Sequence, residues 1–134
     1  MRDLSNLPNL SIALVQTSLA WQDRQGNYEH FEALLDQAKG ADLVILPEMF
    51  TTGFSMESER LAEPENGPTY AWLKAQAKRI DAVITGSVII QAADGSHRNR
   101  LLWARPDGEI LHYDKRHLFR MAGEHKHYTP GERQ

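Results

Sequence analysis

The chain reads as an α/β fold with a mixed sheet. Three observations predict it. Short β-branched apolar runs recur along the first half, two stretches with helical apolar spacing separate them, and the second half carries strands punctuated by turn residues. The resulting order is β-α-β-α-β-β-β. Early βαβ units favour parallel pairing with right-handed crossovers, and later hairpins add antiparallel strands.

Leu10-Ser11-Ile12-Ala13-Leu14-Val15 is compact and apolar, which predicts a buried first strand. Asp23 is suited to cap the helix that follows, whose Tyr28, Phe31, Leu34, Leu35 and Ala38 recur at helical spacing, and Gly40 is a stop. Leu43 to Leu46 reads as a second buried strand. Residues 47–66 lack periodicity and carry Thr51, Thr52, Gly53, Ser55 and Pro64, the composition of a long loop. Pro68 opens a second helix with Tyr70, Leu73, Ala77 and Ile80 on one face. Asp81 to Ile90, Arg100 to Ala104 and Glu109 to Asp114 read as three strands, separated by Asp94-Gly95 and by Pro106-Asp107-Gly108. Arg116 to Gln134 is polar and reads as loop with one helical turn.

With 134 residues, 41% hydrophobic and 25% charged, the chain fits one ordinary globular domain with a real core. A net charge of -3 offers no basic face, so nucleic acid is not an expected partner. No apolar run approaches a membrane span, and Met1-Arg2-Asp3-Leu4-Ser5-Asn6 lacks the apolar core of a signal peptide. The cytoplasm is the expected compartment.

Two charged residues follow strands: Glu48 after Leu43-Val44-Ile45-Leu46-Pro47, and Lys115 after Ile110-Leu111-His112-Tyr113-Asp114. Cleaving an amide needs a nucleophile, a base to activate it, donors for the oxyanion and an acid for departing ammonia. A strand-end Glu serves as base and then acid, and a nearby Lys binds the oxyanion and keeps a thiol ionised. These are two members of a Glu-Lys-Cys acyl-transfer site, yet the chain contains no cysteine. Each signal alone is weak, since strand-end charges are most often solvated.

The surrounding motifs add to it. Gln16, Leu46-Pro47-Glu48-Met49-Phe50-Thr51-Thr52-Gly53-Phe54-Ser55-Met56, Gly86-Ser87-Val88, Asn99-Arg100, Tyr113-Asp114-Lys115-Arg116-His117-Leu118-Phe119 and Gly123-Glu124-His125-Lys126-His127-Tyr128-Thr129-Pro130-Gly131 occur in that order. Together they resemble the nitrilase superfamily of carbon–nitrogen hydrolases, and within it the bacterial omega-amidase branch, which hydrolyses 2-oxoglutaramate-type amides.

The resemblance implies the N-terminal half of an α-β-β-α sandwich, with residues 8–134 forming a partial domain that stops before the nucleophilic cysteine. It implies that Glu48 is the general base, Lys115 the oxyanion-stabilising lysine and Glu124 a second glutamate that orients them. It also implies a small-molecule amide substrate, no cofactor and a homodimer for the full-length protein. The 134 residues alone are expected to be inactive, and marginally stable or aggregation-prone. Rival readings are another amidase or carbamoylase of the superfamily, and a non-catalytic partner of a longer relative.

Phe50, Phe54 and Met56 follow Glu48 and either line a small-substrate pocket or tuck under the loop. Arg116 and Arg120 are candidates for a forked contact to a substrate carboxylate, or are simply exposed. His125 and His127 have His-x-His spacing, and with His117 they invite a metal reading, but no third ligand has a recognisable spacing. Trp21, Trp72 and Trp103 read as packing residues.

Overall fold

The computed structural model describes residues 8–133. The Met1–Asn6 stretch and Gln134, where the expected domain ends, lie outside them. The strands are β1 (Ile12–Leu14), β2 (Leu43–Ile45), β3 (Glu63–Pro64), β4 (Val83–Gln91), β5 (His97–Ala104) and β6 (Ile110–Asp114), and the helices are α1 (Arg24–Gln37), α2 (Ser58–Leu61) and α3 (Pro68–Ile80). They form one mixed sheet in the order β1-β2-β4-β5-β6, with β3 alongside the far end of β4. β1, β2 and β4 run parallel, and β5 and β6 are added antiparallel.

Both long helices follow from local chemistry. Asp23 caps α1, its Oδ1 accepting from Gly26 N at 3.0 Å, and Gly40 just beyond the helix takes the left-handed conformation. α3 starts at Pro68 and ends where Asp81 adopts φ 51°. Tyr28, Phe31 and Leu35 of α1 and Tyr70, Trp72, Leu73, Ala77 and Ile80 of α3 are buried. They pack on the sheet face that carries Val44, Ile84, Val88, Ile90, Leu102 and Ala104. Aromatic contacts knit this layer: Tyr28 stacks on Trp72 at 5.0 Å, and Phe31 meets Phe50 edge to face at 5.6 Å.

The opposite face is covered at one end, where Ile89 packs with Met49, Leu61 and Tyr128, and elsewhere has no covering layer among the described residues. Strand alternation sends Leu101, Trp103, Leu111 and Tyr113 there, as cross-strand pairs Leu101–Tyr113 and Trp103–Leu111, and all four are exposed. A helix layer on one face of one sheet amounts to two of the four layers that the resemblance implies.

Several expectations need correction. The first strand is Ile12–Leu14, shorter than Leu10–Val15, and it is not buried: Ile12 is 49% and Leu14 74% exposed. It lies at the sheet edge, and these side chains point to the uncovered face. Asp81 is a helix cap rather than a strand residue, while β5 begins earlier, at His97. The loop after β2 contains α2 and β3. The polar C-terminal stretch has two 3-10 turns, Arg120–Ala122 and Glu124–Lys126, rather than one turn. Of the three tryptophans only Trp72 is buried; Trp103 is exposed, and Trp21 lies exposed over Gly53.

Candidate active site

Glu48 is placed by a tight turn at the C-terminal end of β2. Leu46 N donates to Thr85 O at 2.8 Å, extending the pairing with β4 by one residue. Met49 then takes φ 49°, unusual for a side chain of its size, and its N–H donates to Ser87 Oγ at 2.9 Å. Phe50 N donates to Ser87 O at 3.2 Å. Ser87 thus pins the turn twice, sending Phe50 into the core and leaving the Glu48 carboxylate at the uncovered face.

Lys115 directly follows β6. Its N–H donates to Asn99 O and its carbonyl accepts from Gly131 N, both at 2.9 Å. Gly131 lies so close that a Cβ there would fall 2.2 Å from Asp114 O, so this approach needs glycine. With its backbone held on both sides, the Lys115 side chain reaches Glu48 Oε2 at 2.8 Å and Glu124 Oε1 at 3.0 Å. Its Nζ also lies 5.4 Å from the centre of the Phe54 ring.

Glu124 opens the second 3-10 turn, after Gly123 at φ 76°, and is fully buried. Beyond Lys115, its carboxylate accepts from Phe119 N at 2.7 Å and from Asn99 Nδ2 at 3.2 Å. A buried carboxylate requires such donors. Burial opposes the charged form of Lys115, but the hydrogen bonds it donates to Glu48 and Glu124 outweigh it and hold its pKa above the usual lysine value. The cluster therefore keeps an ammonium between two carboxylates.

The cluster borders a cavity of about 270 Å³ lined by Leu46, Glu48, Ser87, Asn99, Leu101, Tyr113 and Lys115. The structure brings Glu48, Lys115 and Glu124 together and sets Phe54 beside them, half-buried. Phe50 is the correction among the substrate-binding candidates: it is fully buried against Phe31, Trp72 and Gly86 and lines no cavity with Glu48. Arg120 also departs from expectation, lining a different depression with Arg116, His117 and His125. His117, His125 and His127 are exposed, and among the described residues no group of three His, Cys, Asp or Glu side chains has metal-holding geometry. Sequence reasoning assigned no role to Asn99 or Ser87. The available signal was that both lie in motifs that carry the resemblance, Gly86-Ser87-Val88 and Asn99-Arg100.

The omega-amidase YafV of Yersinia enterocolitica is 48% identical over 126 residues, covering 94% of this chain and 48% of that protein. The 2-oxoglutaramate amidase of Bacillus subtilis is 28% identical over 125 residues, covering 90% and 48%. The chain spans about half the length of the curated relatives it matches. XC1258 of Xanthomonas campestris, a CN-hydrolase superfamily protein solved with an arsenic adduct in its active site, superposes with a TM-score of 0.90 at 50% identity, over 95% of this chain and 48% of its own. Saccharomyces cerevisiae Nit3, of branch 10 of the nitrilase superfamily, shares the fold at a TM-score of 0.76 and 24% identity, over 92% and 49%. The carbon-nitrogen hydrolase family model matches residues 11–134, and the chain belongs to that family.

Proposed function

We propose that this chain supplies the base and the cation of an omega-amidase, acting on the side-chain amide of a small substrate such as 2-oxoglutaramate. The observation that carries this reading is the Lys115 ammonium held between Glu48 and Glu124 beside a small cavity. The names of the relatives, omega-amidase and 2-oxoglutaramate amidase, support the substrate class.

The nucleophile is a cysteine thiol from outside these 134 residues, which contain none. Glu48 takes the thiol proton as sulfur attacks the amide carbonyl. The carbonyl electrons move to oxygen, which Lys115 stabilises. An ammonium has three donors, and the two carboxylates engage two of them, leaving one for the oxyanion. The C–N bond breaks as Glu48 returns the proton to leaving ammonia. Glu48 then deprotonates water, which attacks the thioester. The C–S bond breaks, and the proton returns to sulfur. Glu124 orients Lys115 throughout. No metal or organic cofactor enters the scheme. On the family resemblance, the whole protein is read as a cytoplasmic homodimer. No helix among the described residues is long and apolar enough to cross a membrane.

The test is ammonia release from 2-oxoglutaramate by the chain alone and by a longer protein carrying the same residues with a cysteine-bearing second half. The chain alone is expected to match the blank. The longer protein is expected to turn over, and Glu48→Gln or Lys115→Met to lower its kcat by about a thousandfold or more. Equal turnover by the chain alone overturns the scheme. Preference for N-carbamoyl acids over omega-amides moves the assignment to a carbamoylase.

A further inference from the structure

Asn99 sits on β5, 2% exposed, and connects both glutamates of the site. Its Nδ2 donates to Glu48 Oε2 at 2.7 Å and to Glu124 Oε2 at 3.2 Å, while its buried Oδ1 has no partner among the described residues. The orientation is forced by charge. Flipping the amide would aim its oxygen at two carboxylates, whereas the present one spends both donors on them. Lys115 Nζ donates to the same Glu48 oxygen, Oε2, and no described residue donates to Oε1.

We infer that Asn99 is a positioning residue: together with Lys115 it saturates Oε2 of Glu48 and so leaves Oε1 as the oxygen that takes and returns the proton. The inference rests on the reading of Glu48 as the base. It also gives the amide a role no other side chain of that size fills. Leucine would leave both carboxylates short of a donor, and aspartate would add a third negative group around one ammonium. A neutral residue with two donors on one atom bridges the two carboxylates and shares their oxygens with Lys115.

The experiment is carbon-detected NMR of the Glu48 side-chain carboxylate at neutral pH in this chain and in Asn99→Ala and Asn99→Asp. The charged groups facing Glu48 in the structure are Lys115 and, through Asn99 and Lys115, Glu124. Losing the donor is expected to shift the Glu48 carboxylate resonance in Asn99→Ala, and further in Asn99→Asp. Leu102→Ala is the control. It removes a fully buried side chain from the opposite face of the same strand, and should lower stability without moving Glu48. A Glu48 resonance unmoved in both Asn99 variants, or moved equally by Leu102→Ala, overturns the inference. Glu48→Gln in the ammonia assay of the longer protein separates the two claims. Full activity there refutes Glu48 as base, and the inference falls with it. Lost activity there with an unshifted resonance here keeps Glu48 as base and overturns only the role of Asn99.

Discussion

Asn99 and Lys115 are joined across the sheet by a backbone hydrogen bond, Lys115 N donating to Asn99 O at 2.9 Å, so their side chains leave adjacent strands on the same face. The neighbouring pair, Arg100 and Asp114, points to the other face. There the Arg100 guanidinium forks onto Asp114 at 2.6 and 3.2 Å and reaches Glu65 at 2.8 Å. An ion cluster built on the buried Arg100, on one side of the β5–β6 ladder, thus holds steady the end from which Lys115 projects on the other.

Glu124 is expected to be the most sensitive member of the cluster for stability, because its carboxylate is fully buried and satisfied by three different residues. Glu124→Ala should lower unfolding stability by about 3 kcal/mol, and Glu124→Gln, which keeps the shape and one acceptor, by roughly 1–2 kcal/mol. Urea denaturation followed by tryptophan fluorescence measures both. Equal, near-zero effects would show that the turn at Gly123 forms without this anchor.

Alkaline pH should destabilise the fold through groups whose folded pKa is raised. Lys115 is one. Tyr28 is another: burial pushes its phenol from 10.0 up to about 12, against the lowering effect of its hydrogen bond with Thr69. For both, the unfolded chain releases a proton more readily than the folded one. Their contribution is complete below the unfolded values and is lost as pH rises through the folded ones, for Tyr28 a window from roughly pH 10 to 12. The Tm should fall across that window, and less steeply in Tyr28→Phe. Phenolate absorbance of Tyr28 appearing near pH 10, before unfolding, would contradict the assignment.

Phe50 and Phe54 are expected to behave differently although only three residues separate them. Phe50→Ala empties a fully buried ring site between Phe31 and Trp72 and should cost about 3–5 kcal/mol. Phe54→Ala removes a half-buried ring from Lys115 and Phe119 and should cost about 1 kcal/mol. In the longer, active protein, Phe54→Ala should change KM or kcat at unchanged fold. Chemical denaturation of both variants decides it, and the opposite ranking refutes the placement.

The uncovered sheet face should bind hydrophobic dye and promote association. Trp103→Lys with Leu111→Lys replaces one cross-strand apolar pair on that face. Dye fluorescence and light scattering should drop, with stability changing by less than about 1 kcal/mol. Unchanged scattering would place the association surface elsewhere.

Much of this was legible in local sequence. Asp23, Gly40 and Pro68 mark helix ends because capping and φ restriction act within a few residues, and Asp94-Gly95 and Pro106-Asp107-Gly108 mark turns for the same reason. Glu48 and Lys115 stood out because a charge directly after an apolar strand breaks the local pattern. Other features were not local. Nothing near Ile12 or Leu14 says that the strand lies at an edge with its apolar side chains uncovered, because burial depends on which layer lies opposite.

The sequence by itself determined the alternation of elements, both long helices and the charged ends of two strands, since each depends on interactions among near neighbours. Only the tertiary structure decided which residues of one loop enter the core. Phe50 fits there because Gly86, 36 residues later, lacks the Cβ that would lie 2.7 Å from its ring. The tertiary structure also decided that Asn99 joins Glu48, Lys115 and Glu124. A buried carboxylate and a buried amide are tolerated only where distant segments bring donors and acceptors to them, and those partners are set by sheet register and by the turn at Gly123 rather than by any short-range pattern.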